Sequence, residues 1–352
     1  DWAVDLVHCN DWQTGLVPAL LSRYEQRPAT VFTIHNLAYQ GIFPAQTFVD
    51  VDLPQELWSF DGVEFHGQLS FIKGGLVYAD RINTVSPNYA REITGAEFGY
   101  GLEGLLVHRA DRLSGILNGI DTEIWNPTTD RALVQNYAVN TLDKRLHNKQ
   151  ALQQKFNLQQ DTDDMLLGII TRLVSQKGLD LILQAMPKIL QLPVQLVMLG
   201  SGDAYYEQAF STLAQQNPGR IGVQIGYSED LSHQIEAGCD VFLMPSLFEP
   251  CGLNQLYSLR YGALPLVTQV GGLKDSVTDA TLESGNGFVM QHSSRADLIQ
   301  TLERALKDWR SERRWRQLQH NAMAVDHSWR QSAQDYYQLY QTAMSDMASS
   351  MR

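Results

Sequence analysis

The sequence reads Leu166-Leu167-Gly168-Ile169-Ile170-Thr171 where its clearest structural pattern begins. Such a short apolar run is typical of a buried strand, and here it leads through a loop into an amphipathic helical stretch. The same order of strand, loop and helix continues to about residue 290. This alternation indicates a parallel α/β sheet. The predicted strands are Leu166–Thr171, Val194–Leu199, Gly222–Ile225, Val241–Met244, Leu264–Thr268 and Gly287–Met290.

A less regular α/β series precedes this one. Its predicted strands are Val4–Cys9, Thr30–Ile34, Arg81–Val85 and a run from Leu113 into the turn at Asp121; its predicted helix is Gln68–Tyr78. We expect a polar linker at 122–140, a polar helix at Leu142–Phe156 and an amphipathic helix at Ser328–Met344.

These patterns predict an α/β protein of two Rossmann-like domains that face each other across a cleft. The predicted domains are 1–119 and 120–327, followed by a C-terminal helix at 328–352. Asp1-Trp2-Ala3 leads almost directly into a buried strand, so we expect the first domain to be truncated at its N-terminus.

Composition and charge exclude several classes of protein. The formal net charge of -12 argues against nucleic acid or an anionic membrane as a partner, since both require a basic face. Three cysteines, Cys9, Cys239 and Cys251, lie at no metal-ligand spacing, which predicts reduced thiols in a cytoplasmic protein. Asp50-Val51-Asp52 resembles a metal-binding D-x-D, but it lies in a Pro-flanked loop, and we expect no metal.

The segment Phe248-Glu249-Pro250-Cys251-Gly252-Leu253 follows one predicted strand and opens a helix. Ligands of open α/β sheets bind beyond the carboxyl ends of the strands, where helix N-termini offer free N–H groups. Glu249 places a carboxylate there. An ordinary turn with a surface glutamate is the alternative interpretation.

Arg172 and Lys177 lie on either side of another loop between strand and helix. Guanidinium and ammonium groups there can converge on one anion, although two solvated basic residues are the commoner outcome. Gly271-Gly272 follows a third strand, where glycine lets backbone approach a phosphate or simply permits a tight turn. In the first series, Asp11 and His35 each follow a strand, so both would face the cleft of a doubly wound fold. The alternative interpretations are that Asp11 caps a helix and that His35 is a hydrogen-bonded core imidazole.

Seven short motifs resemble the bacterial glycogen synthase and plant starch synthase family, glycosyltransferase family 5. The resemblance runs essentially from end to end. The motifs are Asn10-Asp11-Trp12, Thr33-Ile34-His35-Asn36-Leu37-Ala38-Tyr39-Gln40-Gly41, Thr84-Val85-Ser86-Pro87, Tyr100-Gly101-Leu102-Glu103-Gly104, Leu117-Asn118-Gly119-Ile120-Asp121, Ser175-Gln176-Lys177-Gly178 and Glu249-Pro250-Cys251-Gly252-Leu253.

The resemblance implies the GT-B fold and a retaining transfer of glucose from ADP-glucose to an α-1,4-glucan such as glycogen, with no cofactor. It also implies that the C-terminal helix at 328–352 crosses back to the first domain. It implies that Arg172 and Lys177 hold the donor diphosphate and that Glu249 binds the glucose hydroxyls. The remaining implied roles are contacts of the glucose by Asp11, His35 and Asn118, stacking of Tyr227 on adenine, and donor contacts by Cys251, Gly252, Leu253, Gly271 and Gly272.

Two departures from family patterns bear on this interpretation. The family begins with a Lys-x-Gly-Gly-Leu motif, which is absent here; Lys73-Gly74-Gly75-Leu76 lacks the spacer and lies within a predicted helix. We therefore expect these 352 residues alone to bind ADP or ADP-glucose weakly and to elongate glucan negligibly. Many retaining transferases carry a second glutamate eight positions after the first, but residue 257 is tyrosine, as it is in the synthases.

Two rival interpretations stay open on the sequence alone. One is a related GT-B transferase that uses a UDP-sugar, against which the tyrosine at position 257 argues. The other is a non-catalytic protein that binds a nucleotide sugar or glucan.

Overall fold

The computed structural model describes residues 3–160 and 163–350. The chain divides into two compact units, Asp1–Asn118 with Trp329–Arg352 and Gly119–Ser328. Asp1 and Trp2, on which the predicted truncation rests, lie outside the described residues.

The first unit is built on a parallel four-stranded sheet in the order β1-β2-β6-β7. All six side chains of the second strand are buried, as expected for a sheet covered on both faces. The sheet strands are β1 Leu6–Asn10, β2 Ala29–Ile34, β6 Arg81–Thr84 and β7 Leu113–Gly115. The helices are α1 Leu16–Leu21, α2 Ala45–Asp50, α3 Phe71–Tyr78, α4 Pro87–Glu92, α5 Glu103–His108 and α14 Trp329–Ser350.

A small antiparallel sheet in this unit was not predicted. It pairs β3 Ile42–Pro44 with β5 Gln68–Ser70, and β5 with β4 Glu64–Phe65. The predicted helix Gln68–Tyr78 was therefore wrong for its first three residues, Gln68–Ser70, which form β5. The helix begins at Phe71 because the Ser70 hydroxyl caps it, accepting a hydrogen bond from Lys73 N at 3.4 Å.

The last helix, α14, packs on the sheet of this first unit. Leu339 and Ala343 pack against Ala29, Val31 and Ile116 in one apolar cluster. The Tyr340 hydroxyl lies 2.9 Å from His8 Nδ1.

The second unit contains a parallel six-stranded sheet in the order β10-β9-β8-β11-β12-β13. Its strands are β8 Met165–Leu173, β9 Val194–Gly202, β10 Ile221–Ile225, β11 Val241–Met244, β12 Leu264–Thr268 and β13 Phe288–Met290. Its helices are α6 Arg145–Lys155, α7 Leu179–Ile189, α8 Ala204–Gln216, α9 Glu229–Gly238, α10 Asn254–Tyr261, α11 Gly271–Ser276, α12 Arg295–Trp309 and α13 Glu312–Ala324.

Alternating residues of β8 supply the cores on the two faces of this sheet. Leu167 and Ile169 join one apolar cluster, whereas Leu166 joins the other. The predicted fold class, an α/β protein with parallel Rossmann-like sheets, is confirmed.

The stretch 122–140 is not the solvated linker that its polarity predicted. Leu133 and Tyr137 are buried, and they pack with Ala237 and Tyr261. The predicted helix from Leu142 starts later, since Val139–Lys144 forms a 3-10 turn before α6. Polar side chains of α6 are buried because they meet internal partners: the Lys149 ammonium lies 2.7 Å from the Asp240 carboxylate.

An ion pair near the end of the sheet makes stability depend on pH. Burial alone would raise the pKa of Asp279, but hydrogen bonds from Arg304, Thr281 and Val289 outweigh it and lower the pKa to about 2. The Arg304 guanidinium makes two bonds of 3.0 Å with this carboxylate.

We predict that Asp279→Asn lowers the free energy of unfolding by about 1–2 kcal/mol at neutral pH. A depressed carboxyl pKa stabilises the fold above the unfolded pKa, and this contribution is lost as pH falls from about 4 to 2. Denaturant titrations across this range should give a shallower acid slope in the variant. Asp308→Asn, which alters a pair 3.8 Å apart with Arg314, is the control. An unchanged slope in Asp279→Asn would contradict the assignment.

Candidate functional site

The loops after β8 and β11 lie at the point where the strand order of the second sheet reverses. These two strands are neighbours, and the chain continues outward from them to opposite edges, through β9 and β10 on one side and β12 and β13 on the other. Open α/β sheets bind ligands beyond the carboxyl ends of strands at such a point. Lys177 and Glu249 belong to these two loops.

Lys177 and Glu249 are in direct contact. Lys177 Nζ lies 2.6 Å from Glu249 Oε2, and the two side chains are 14% and 8% exposed. The Ser246 hydroxyl donates a second hydrogen bond of 3.0 Å to the same oxygen. Glu249 Oε1 accepts no hydrogen bond from any residue that the structure describes. The pair therefore leaves one carboxylate oxygen available to a ligand.

Further hydrogen bonds join the two loops. Leu247 N donates to Gln176 O at 2.8 Å, and the Gln176 side chain donates to Phe248 O at 3.1 Å. Asn254, the first residue of α10, donates to Ile170 O of β8 at 2.6 Å. These three hydrogen bonds fix the spacing of the two loops that carry Lys177 and Glu249.

Glycines permit the close packing behind this pair. Gly178 has φ +69°, and a Cβ there would lie 1.9 Å from Pro245 O. A Cβ on Gly271 would lie 1.9 Å from Glu249 O, and Gly272 N donates to Glu249 O at 3.1 Å. The Gly271-Gly272 segment therefore supports the glutamate loop, and the Gly272 amide is occupied by this contact.

Arg172 and Tyr227 are exposed. Arg172 lies in β8 opposite Ser201, because this strand runs two residues past its predicted end at Thr171. Within residues 3–160 and 163–350, its guanidinium makes no hydrogen bond or ion pair. Tyr227 follows β10 and is 81% exposed, with its hydroxyl 3.3 Å from Glu229 Oε2. Both side chains are available to a ligand.

The turn from Cys251 to Leu253 precedes α10. Cys251 is buried, and its carbonyl accepts a hydrogen bond of 3.0 Å from the Gln255 side chain. Gly252 has φ +71°. Leu253 is 38% exposed and stands at the start of the helix.

The candidates of the first unit lie at the carboxyl edge of its own sheet. Asp11 has φ 59°, an uncommon value for a residue with a side chain. Asp11 Oδ1 accepts a hydrogen bond of 2.8 Å from His35 N, and His35 Nε2 lies 2.9 Å from Asn10 Oδ1. Asn118 is half-buried after β7. Asp11 thus orients the backbone that carries His35.

The charges in the second unit suit a ligand that is part anion and part polyhydroxyl. Arg172 has no carboxylate partner among the residues that the structure describes, whereas the Lys177 charge is shared with Glu249. The described part of the chain has no group of three His, Cys, Asp or Glu side chains placed to hold a metal ion. No helix in that part is long and apolar enough to cross a membrane.

Sequence reasoning missed two features of this site. One is Ser246, whose contact with Glu249 has no sequence signal beyond a spacing of three residues. The other is an aromatic stack in which Trp125 lies between Tyr257 and His233, with ring centroids 3.7 and 3.8 Å away. Tyr257, which stands where many retaining transferases have a glutamate, is thus fixed by stacking.

Comparisons with known proteins find a matching family for a part of each unit. Residues 1–108 match the family described as starch synthase catalytic domain, and residues 150–321 match glycosyl transferases group 1. The chain is 55% identical to a glycogen synthase of Cellvibrio japonicus over 344 residues, covering 97% of this chain and 72% of the relative. It is 54% identical to glycogen synthase 1 of Methylococcus capsulatus over 351 residues, covering 98% and 71%.

A solved structure has the same fold. The catalytic domain of starch synthase IV from Arabidopsis thaliana, bound to ADP and acarbose, superposes with a TM-score of 0.91 at 36% identity. The match covers 97% of this chain and 73% of that one. The paired parallel α/β units and these matches define a glycosyltransferase with the GT-B fold.

The chain belongs to the glycogen synthase and starch synthase family. The rival interpretations, a UDP-sugar transferase and a non-catalytic binding protein, are not favoured by these relatives.

We predict that Gly178→Ala destabilises the second unit by roughly 2–4 kcal/mol, since it combines backbone strain with a clash against the loop after β11. Gly104→Ala is the matched control, because a Cβ at Gly104 meets no atom within 4 Å. Urea denaturation of both variants measures the difference. Equal stabilities would show that the two loops can separate at little cost.

Proposed function

We propose that this protein transfers glucose from ADP-glucose to the non-reducing end of an α-1,4-glucan such as glycogen, with retention at the anomeric carbon. The observation that carries the proposal is the pairing of Lys177 with Glu249 at the strand-order reversal, with Arg172 left uncompensated. The starch synthase that this chain resembles was solved with ADP and acarbose, which supports a nucleotide donor and a glucan acceptor.

Arg172 and Lys177 act on the donor diphosphate in this proposal. Departure of ADP builds negative charge on the leaving phosphate oxygen and positive character on the sugar. Cations fixed near the leaving oxygen lower this barrier without having to reorganise. Lys177 is fixed by Glu249 before any donor binds, because the two side chains already make a contact of 2.6 Å.

Glu249 binds the glucose hydroxyls through the oxygen that Lys177 and Ser246 leave unoccupied. Oε1 can accept a hydrogen bond from a glucose hydroxyl while Oε2 keeps both of its present contacts. The amides of Cys251, Gly252 and Leu253 lie on the same loop and add donors for the sugar or the phosphate. Gly271 and Gly272 hold that loop, and the donor contact that the resemblance implies for them would require the Gly272 amide to exchange its bond to Glu249 O.

The remaining roles follow the family resemblance. Tyr227 stacks on adenine, consistent with its 81% exposure. Asp11, His35 and Asn118 contact the transferred glucose, with Asp11 fixing the backbone of His35.

We favour front-face attack for the transfer. The bond between the anomeric carbon and the phosphate oxygen breaks, and the acceptor hydroxyl attacks from the same side. The departing phosphate oxygen takes the acceptor proton, so no protein carboxylate forms a covalent intermediate. Neither a metal nor an organic cofactor has a step in this scheme. The three cysteines, all of them buried, lie at no metal-ligand spacing, and this supports a cytoplasmic location.

The test is glucose incorporation into glycogen by the purified protein that carries this chain, with ADP-glucose and UDP-glucose compared at equal concentrations. We expect incorporation from ADP-glucose to exceed that from UDP-glucose by at least about tenfold, and the product to be α-linked by NMR. A preference for UDP-glucose, or an inverted product, would contradict the proposal.

We predict that Arg172→Ala and Lys177→Ala each lower kcat by roughly 10²–10³ at saturating ADP-glucose, typical of losing one preorganised donor to a developing charge. Lys188→Ala, which changes a lysine near the end of α7, is the control. A rise in KM with unchanged kcat would mean that the two cations bind the ground state and the transition state equally.

A further inference from the structure

Ser246 is a buried residue that touches the candidate site without reaching its surface. It lies two residues after β11, and its relative exposure is 0%. Its hydroxyl donates a hydrogen bond of 3.0 Å to Glu249 Oε2. A serine hydroxyl has one proton, so this bond uses its full donor capacity.

Ser246 and Lys177 together fix the rotation of the Glu249 carboxylate. Both act on Oε2, at 3.0 and 2.6 Å. The last side-chain torsion of glutamate is broad when nothing restrains it. Two donors on one oxygen remove this freedom and leave Oε1 as the oxygen that meets a ligand.

The backbone around Ser246 is itself held by β12 and by the loop after β8. The Thr268 hydroxyl, at the end of β12, donates to Ser246 O. The next residue, Leu247, donates from its amide to Gln176 O in the loop after β8, at 2.8 Å. The position of the Ser246 hydroxyl therefore depends on β11, on β12 and on the loop after β8. Through its hydrogen bond, so does the position of the Glu249 carboxylate.

We propose that Ser246 is a positioning residue that holds Glu249 in the rotamer required to bind the transferred glucose. This inference rests on the proposed role of Glu249 as a glucose contact. Ser246 has no contact with the donor of its own, because it is fully buried beneath the loop. Its effect therefore passes through Glu249 alone.

The test is a double-mutant cycle between Ser246→Ala and Glu249→Ala in the protein that carries this chain. A hydrogen bond to a charged group contributes more than one between neutral groups, so its loss should be measurable. We expect Ser246→Ala to lower kcat/KM for ADP-glucose by roughly 10–100-fold and to change the Kd for ADP, which lacks glucose, by less than about twofold. In the Glu249→Ala background, Ser246→Ala should cause no further loss.

Two additional variants separate positioning from general destabilisation. Ser258→Ala removes another fully buried hydroxyl of the same unit, one that binds Glu236 at 2.8 Å instead of Glu249. Thermal melting should show comparable losses for Ser258→Ala and Ser246→Ala, with kcat/KM reduced only in the latter. Ser246→Cys keeps a similar size with a weaker donor and should give an intermediate kcat/KM.

The outcomes distinguish this inference from the proposed function. An equal loss from Ser246→Ala in both backgrounds, or an equal weakening of ADP binding, would overturn the positioning role while leaving the donor site in place. Failure of the unaltered protein to bind ADP or to transfer glucose would overturn the proposed function and the positioning role together.

Discussion

The pairing of β8 with β11 is the contact on which the donor-side candidates depend. It is short, joining Val241 to Leu167 and Phe242 to Gly168. Asp240, just before β11, extends it: its carboxylate accepts the Leu166 amide at 2.8 Å and the Lys149 ammonium at 2.7 Å. A buried carboxylate left without such partners would be strongly destabilising. This buried ion pair therefore helps to set the distance between the two loops that carry Lys177 and Glu249.

The second sheet could be predicted from the sequence almost residue by residue. β11 and β12 have the predicted bounds, and β8 extends the prediction from Leu166–Thr171 to Met165–Leu173. Strands buried on both faces are continuous apolar runs, and such runs are visible without tertiary information. The small antiparallel sheet was missed because its strands are only two or three residues long, too short to show an alternating pattern.

Polar residues that find partners far along the chain could not be predicted. The polar stretch 122–140 resembled a linker, yet Asp130 Oδ2 lies 2.7 Å from His233 Nδ1, and Trp125 stacks on that same ring. Propensity and periodicity describe near neighbours, whereas this contact joins residues about one hundred positions apart. Glu249 and Lys177 were recognisable as candidates in the sequence, but their contact of 2.6 Å is visible only in the folded structure.

The position of α14 has a consequence for the order in which the chain folds. Ala29 and Val31, near the beginning, are covered by Leu339 and Ala343, near the end. Translation produces the covering residues more than three hundred positions after the residues they cover. The face of β2 must therefore stay open while the whole second unit is synthesised, and closing such a long loop carries an entropic cost. Until α14 has emerged from the ribosome, the first unit presents an apolar surface that chaperones can recognise and that other nascent chains can contact.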